Sequence, residues 1–299
     1  MLIWKYSDAK LRAAMPKLRA NANKYTRGKL TVIAGSKRYP GAAALAAVAS
    51  QRMGAGYTQV ICAPQAVEVV RAVSPSLVVR SWKKLHGSDF PCAREGHPEA
   101  CVVGPGFDSD DDACIDATLR ALKKTCAPLL VDGGALTVLA AEQGQGLLRR
   151  RFECGLRTVL TPHAGEAARL ARPFDLPTSD PAELSRLLSL VYGAIVLVKG
   201  PKSYVSDGEQ IAVVSDGSAA LAKAGTGDVL AGMIGALLAQ DADPFDACVI
   251  GATLHAWAGR AAAADLTETC VVAEDVPRYL PAAIKRLEAQ ERNPLEARI

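Results

Sequence analysis

Six short, β-branched runs each close on glycine or a polar turn, and most are followed by a stretch with helical character. They are "LTVIAG" (30–35), "YTQVICAP" (57–64), "ACVVGPG" (100–106), "APLLVDGG" (127–134), "RTVLTPH" (157–163) and "AIVLVKG" (194–200). Between them lie helix patterns such as the alanine-rich "AAALAAVASQRMGAG" (42–56), "QAVEVVRAV" (65–73) and "SDDDACIDATLRALKK" (109–124), the last opened by Ser109 and acids suited to a helix N-terminus. Strands alternating with helices of this length predict a parallel sheet with helices on its faces. "SYVSDGEQIAVVSDGS" (203–218) departs from that style and predicts a hairpin turning at Asp207-Gly208. Residues 245–264 and 276–288 read as closing helices, 1–28 as a mixed leader ending in a turn at Gly28, and about 287–299 as a tail. With no internal repeat and no linker, residues 1–299 are expected to form one domain.

Composition excludes several functions. The net charge of +4 on 299 residues, with 5% aromatics, lacks the basic stripe of a nucleic-acid binder. Short clusters such as Arg149–Arg151 and Lys123–Lys124 are expected to be solvated helix ends. Charges at positions 5, 8, 10 and 12 leave no signal-peptide core, and no uncharged apolar run is long enough to span a membrane. The eight cysteines contain no C-x-x-C pair, so reduced thiols in the cytoplasm are expected, with Cys62 and Cys101 buried in strands.

The strand-end turns are where ligands bind in open α/β sheets, and at least five of them here are polar or glycine-rich: Gly35–Gly41, Gly104–Phe107, Asp132–Gly134, Thr161–Glu166 and Lys199–Ser203. No G-x-G-x-x-G and no G-x-x-x-x-G-K-[ST] is present, which argues against a dehydrogenase or P-loop enzyme. In "AGTGD" (224–228), Gly225 and Gly227 can take positive φ and turn backbone N–H groups into an anion nest at a helix mouth. Asp228 then suits either a helix cap or a base facing a bound phosphoryl group. Those five residues leave both open.

"AGTGDVLAG" (224–232) resembles the G-x-G-D signature of the ribokinase-like superfamily of small-molecule kinases. Together with "GSKRYPGA" (35–42), "GAG" (54–56), "VVGPG" (102–106), "TPHAGE" (161–166), "VKG" (198–200), "HAWAGRAAA" (255–263) and "AEDVPRYLP" (273–281), it resembles the ADP-dependent NAD(P)H-hydrate dehydratases over roughly residues 29–285. The resemblance implies a ribokinase-like three-layer α/β/α sandwich with a mainly parallel central sheet. It implies a lyase that repairs NADH or NADPH hydrated at C6, using ADP as co-substrate and Mg²⁺, and releasing AMP and phosphate. Asp228 matches the base contacting the hydrate hydroxyl. Ala42, Gly106 and His163 match substrate contacts. Lys199, Gly200, Pro201, Lys202 and Ser203, with Gly225, Thr226 and Gly227, match nucleotide contacts. No metal ligand is assigned. A homo-oligomer, guessed as a tetramer, and a separate NAD(P)H-hydrate epimerase are also expected, since 1–28 is too short for the epimerase domain fused in many relatives. Three departures stand out: "DGGAL" (132–136) for D-A-D-A-L, "GPGFD" for G-P-G-L-G, and Asp216 where the family tends to have Asn. They keep open two other readings, a sugar or vitamin-precursor kinase and a silent nucleotide-binding protein.

Overall fold

The computed structural model describes residues 2–289. Ten strands form one sheet: β1 (Ile3–Trp4), β2 (Lys29–Ile33), β3 (Tyr57–Cys62), β4 (Val78–Ser81), β5 (Glu99–Val103), β6 (Leu129–Val131), β7 (Thr158–Leu160), β8 (Ile195–Val198), β9 (Ser203–Ser206) and β10 (Ile211–Val214). Their spatial order is β1-β10-β9-β8-β7-β6-β5-β2-β3-β4. Every pairing is parallel except those of β9, which runs antiparallel to both neighbours. The β9–β10 hairpin turns at Asp207-Gly208 as expected, with Asp207 Oδ1 accepting the Glu209 and Gln210 backbone N–H groups.

Period-2 alternation builds the two faces. Leu30, Val32, Ala100, Val102 and Leu130 enter a core with helices Gly41–Arg52, Thr226–Ala239, Pro244–Leu266 and Asp275–Ala289. Ile33, Cys101, Val103, Leu129 and Val131 enter the other, under helices Asp112–Lys124, Glu142–Glu153, Ala164–Ala171 and Pro181–Tyr192. The result is a three-layer α/β/α sandwich. Its chain order reverses between β2 and β5, so the turns after those strands lie at the switch point. There Gly35 N–H donates to Pro105 O and Ser36 N–H to Gly106 O, at 2.9 and 3.0 Å.

Two expectations need revision. The segment expected as a leader carries β1 and a helix, Asp8–Ala14, and is tied down by Tyr6, whose hydroxyl donates to Asp246 Oδ1 at 2.6 Å. Arg151, expected in solvent, is 3% exposed; it donates to the carbonyls of Thr125 and Ala127 and to Thr158 Oγ1, and burial lowers its pKa to about 10. A buried guanidinium persists when carbonyl acceptors replace its hydration. Edge strand β4 has no counterpart in the sequence reading, because only Val78-Val79 separates it from turn residues. Cys62 and Cys101 are buried as expected. Among the described residues no helix is long and apolar enough to cross a membrane. Residues 290–299 of the expected tail lie outside the described residues.

Candidate functional site

The carboxyl ends of β6, β7 and β8 converge on one ion pair. Asp132, directly after β6, is 2% exposed. Its Oδ1 accepts from Lys199 Nζ at 2.7 Å and from Thr161 Oγ1 at 2.7 Å. Lys199 is brought there by its own N–H, which donates to Pro162 O at 2.8 Å and extends the β7–β8 pairing by one isolated bridge. Burial works against the Lys199 charge, but Asp132, Glu166 and Asp228 outweigh it and raise its pKa. The ammonium is therefore permanent near neutral pH.

Facing this pair is the N-terminus of the Thr226–Ala239 helix. Gly225 takes φ +92° at the cap, which a side-chain-bearing residue would adopt only with strain. Gly227, by contrast, is already helical; what it supplies is space, since a Cβ there would lie 3.4 Å from Lys199 Nζ. Only one of the two glycines thus uses positive φ. Asp228 is the third helical residue, and no hydrogen bond to its carboxylate occurs among the described residues, so it is not a cap. Burial first, then the charge of Asp132, raises its pKa to about 7; Glu166 adds to the rise and Lys199 opposes it. A carboxyl poised near neutrality can accept a proton at the pH where the protein works.

Two histidines flank the site, one exposed and one buried. His163 caps the Ala164–Ala171 helix, its Nδ1 accepting from Gly165 N at 3.0 Å while Glu166 Oε2 accepts from His163 N at 2.8 Å. That capping box spends Nδ1 as an acceptor and leaves Nε2 as the other edge of the ring, 3.6 Å from Glu166 Oε1. His255 is buried, and its Nε2 lies 2.9 Å from Thr226 O; because a carbonyl only accepts, Nε2 carries the proton. Burial lowers its pKa to about 4, so it holds the helix mouth as a neutral ring. A cavity of about 760 Å³ opens beside these groups, its wall including Lys199, Gly200, Ser203, Thr226, His163 and His255. Leu221, Leu230 and Ala252 make much of its lining apolar, as suits a planar base.

The expected site residues therefore fall into two neighbourhoods. His163, Lys199, Gly200, Pro201, Ser203, Thr226 and Gly227 wall the cavity. Asp228 and Gly225 adjoin it on the same helix mouth, and Lys202 is exposed and outside that wall. Ala42 and Gly106 meet at the switch point instead, where a Gly106 Cβ would lie 2.4 Å from that of Ala42. Thr161, Glu166 and His255 were not anticipated as site residues, and Asp132 had no assigned role. The signal of Thr161, His255 and Asp132 is weak in sequence because each depends on a partner 29 to 67 residues away, whereas Glu166 is held locally by His163.

A family model described as NAD(P)H-hydrate dehydratase matches residues 30–282. The chain belongs to this family. A relative from Xanthomonas campestris, named ADP-dependent (S)-NAD(P)H-hydrate dehydratase, is 30% identical over 288 residues, covering 92% of the chain and 94% of the relative. The bifunctional NAD(P)H-hydrate repair enzyme of Gloeobacter violaceus is 34% identical over 268 residues, covering 88% of the chain but 51% of the relative. The chain spans about half the length of such bifunctional relatives. A crystal structure of the ADP/ATP-dependent NAD(P)H-hydrate dehydratase from Bacillus subtilis, co-crystallized with ATP/Mg²⁺, superposes with a TM-score of 0.79 at 25% identity, covering 96% of this chain and 99% of that one.

Within this dehydratase family the three departures have local causes. A Cβ at Gly134 would lie 2.4 Å from Phe107 O and 3.0 Å from Phe107 Cβ. Positions 107 and 134 thus lie against each other, and the Phe107 backbone occupies the room a side chain at 134 would need. Phe107 is buried edge-on to Trp82, with ring centroids 5.7 Å apart, and Asp108 pairs with Arg38 at 3.5 Å. Asp216 pairs with Lys5 of the N-terminal segment at 3.2 Å. No three His, Cys, Asp or Glu side chains converge to hold a metal among the described residues.

Proposed function

We propose that this chain is an ADP-dependent dehydratase that restores hydrated NADH and NADPH, releasing AMP and phosphate. The observation that carries the reading is Asp228: a carboxylate unpaired among the described residues, its pKa raised to about 7, at a helix mouth beside a half-buried lysine and a nucleotide-sized cavity. ADP is placed in that cavity, its base against Leu221, Leu230 and Ala252 and its terminal phosphate toward the Thr226 and Gly227 N–H groups and the Lys199 ammonium. Asp228 accepts the proton of the ring C6 hydroxyl as its oxygen attacks the β-phosphorus, and the bond to AMP breaks. The C6–O bond of the phosphorylated ring then breaks, the departing phosphate takes the proton of the adjacent ring C–H, and the double bond returns. Phosphate leaves where hydroxide would not. Mg²⁺ is proposed to enter on the nucleotide phosphates, where it would neutralise their charge. Free thiols at all eight cysteines support a cytoplasmic setting. A homo-oligomer and an epimerase activity acting on the same hydrates remain part of the proposal.

The test uses purified protein, each hydrate, ADP and Mg²⁺, and follows the near-ultraviolet absorbance of the reduced ring together with AMP release. Recovery with stoichiometric AMP is expected. No recovery with ADP or ATP, alongside phosphorylation of a sugar or thiazole alcohol, would make the protein a kinase. His163→Asn supplies a second prediction: asparagine keeps the helix cap but loses the ring Nε2. The KM for hydrate is expected to rise about tenfold, the loss of one hydrogen bond, with ADP affinity changed less than about twofold. Equal losses for both ligands would remove His163 from the substrate side.

A further inference from the structure

We propose that Asp132 is a positioning residue that holds the Lys199 ammonium off Asp228, leaving the lysine to face the transferred phosphoryl group and the base free to take its proton. This deepens the reading of Asp228 as a base and rests on it. Lys199 lies among three carboxylates, one from each surrounding element: Asp132 after β6, Glu166 on the Ala164–Ala171 helix, and Asp228 at the opposite helix mouth. The fourth neighbour, His255 on the Pro244–Leu266 helix, is neutral. A single cation among three acids closes an ion pair with whichever is best placed. Here it is Asp132, at 2.7 Å, while Asp228 is in no ion pair among the described residues.

Two features make that choice firm. Thr161 Oγ1 donates to the same Asp132 oxygen at 2.7 Å, fixing the carboxylate rotamer, and Asp132 N–H donates to Val103 O at 3.0 Å, fixing its backbone. Glu166 is committed elsewhere, because its Oε2 closes the His163 capping box. With one N–H spent on Asp132, the Lys199 ammonium keeps two donors for an incoming anion beneath Gly227. Asp132 does more than anchor: its charge also opposes ionisation of Asp228. Both effects act on chemistry and neither requires contact with substrate.

The experiment compares wild type, Asp132→Asn and Thr161→Val by kcat and kcat/KM against pH, ADP binding by calorimetry, and thermal melting. Carboxyl NMR titration of Asp228 without any ligand accompanies them. Asparagine can still accept from Thr161 and Lys199 but carries no charge. Its kcat is expected to fall on the order of 100-fold, with ADP affinity changed less than about threefold, because the lysine is free to close on Asp228. The acidic limb of kcat/KM, and the Asp228 titration, move to lower pH. In Thr161→Val the Asp132 charge persists, so the limb stays in place. If Asp132→Asn does not fold, Lys199→Met tests the same arrangement with opposite sign: Asp228 loses its nearest cation and titrates at higher pH. An unmoved Asp228 titration in folded Asp132→Asn or Lys199→Met would overturn the proposal and leave Asp132 a packing residue. Because that titration needs no turnover, an inactive wild type would sink the dehydratase reading separately.

Discussion

Asp228→Asn is expected to lower hydrate turnover on the order of 10³-fold while the protein still folds and binds ADP, since a positioned base contributes rates of that size. The amide cannot take the hydroxyl proton, yet it fits the same helix mouth, where no hydrogen bond depends on the carboxylate. The pH profile should carry the same signature. With its pKa raised to about 7 by burial and by Asp132, Asp228 is protonated and idle in acid, so wild-type kcat/KM should climb with pH through about 7 and then level. Stability runs the other way. A carboxyl whose folded pKa exceeds the unfolded value of about 3.9 contributes stability that is complete below that value and lost as pH rises through about 7. Asp228→Asn removes this penalty, and its melting temperature in mild alkali should equal or exceed that of wild type. A variant that retains near-normal turnover would return Asp228 to a structural role.

Gly104→Ala is expected to destabilise the protein by about 3 kcal/mol, combining left-handed backbone strain with overpacking. Gly104 has φ +113°, and a Cβ there would lie 1.9 Å from Asp132 O and 2.5 Å from Ala135 Cβ. Nothing flexible can yield, because the obstacle is the backbone that follows β6. Melting should therefore fall by roughly 5–10 °C. Turnover should fall further than stability explains, because relief of the clash moves Asp132 and with it the Lys199 ammonium. Differential scanning calorimetry alongside kcat at a temperature where the variant is folded separates the two effects. An unchanged kcat per folded molecule would show that the site tolerates displacement of the β6 end.

The legible parts of the chain were those in which neighbours in sequence are also neighbours in space. Leu30-Thr31-Val32-Ile33 and Ala100-Cys101-Val102-Val103 already carry the buried parallel strands, and Asp207-Gly208 carries the hairpin. Arg151 was misjudged for the opposite reason. Within Arg149-Arg150-Arg151 nothing distinguishes it; only the carbonyls of Thr125 and Ala127, brought from another segment, bury it. The N-terminal segment was likewise opaque, since its order comes from β10 and Asp246.

By itself, the sequence determined the layered architecture, the turns that carry the site, and the resemblance on which the dehydratase reading was built. It did so because strand and helix periodicity and the G-T-G-D turn are properties of short windows. Only the tertiary structure shows that, among the described residues, no partner engages the Asp228 carboxylate. A cap and a base demand the same residue at the same helix position, and they differ in whether a partner consumes the carboxylate. That depends on Lys199 pairing with Asp132, 67 residues distant, instead of with Asp228. Electrostatic competition among buried groups is settled by distances in space, and no short window of sequence contains them.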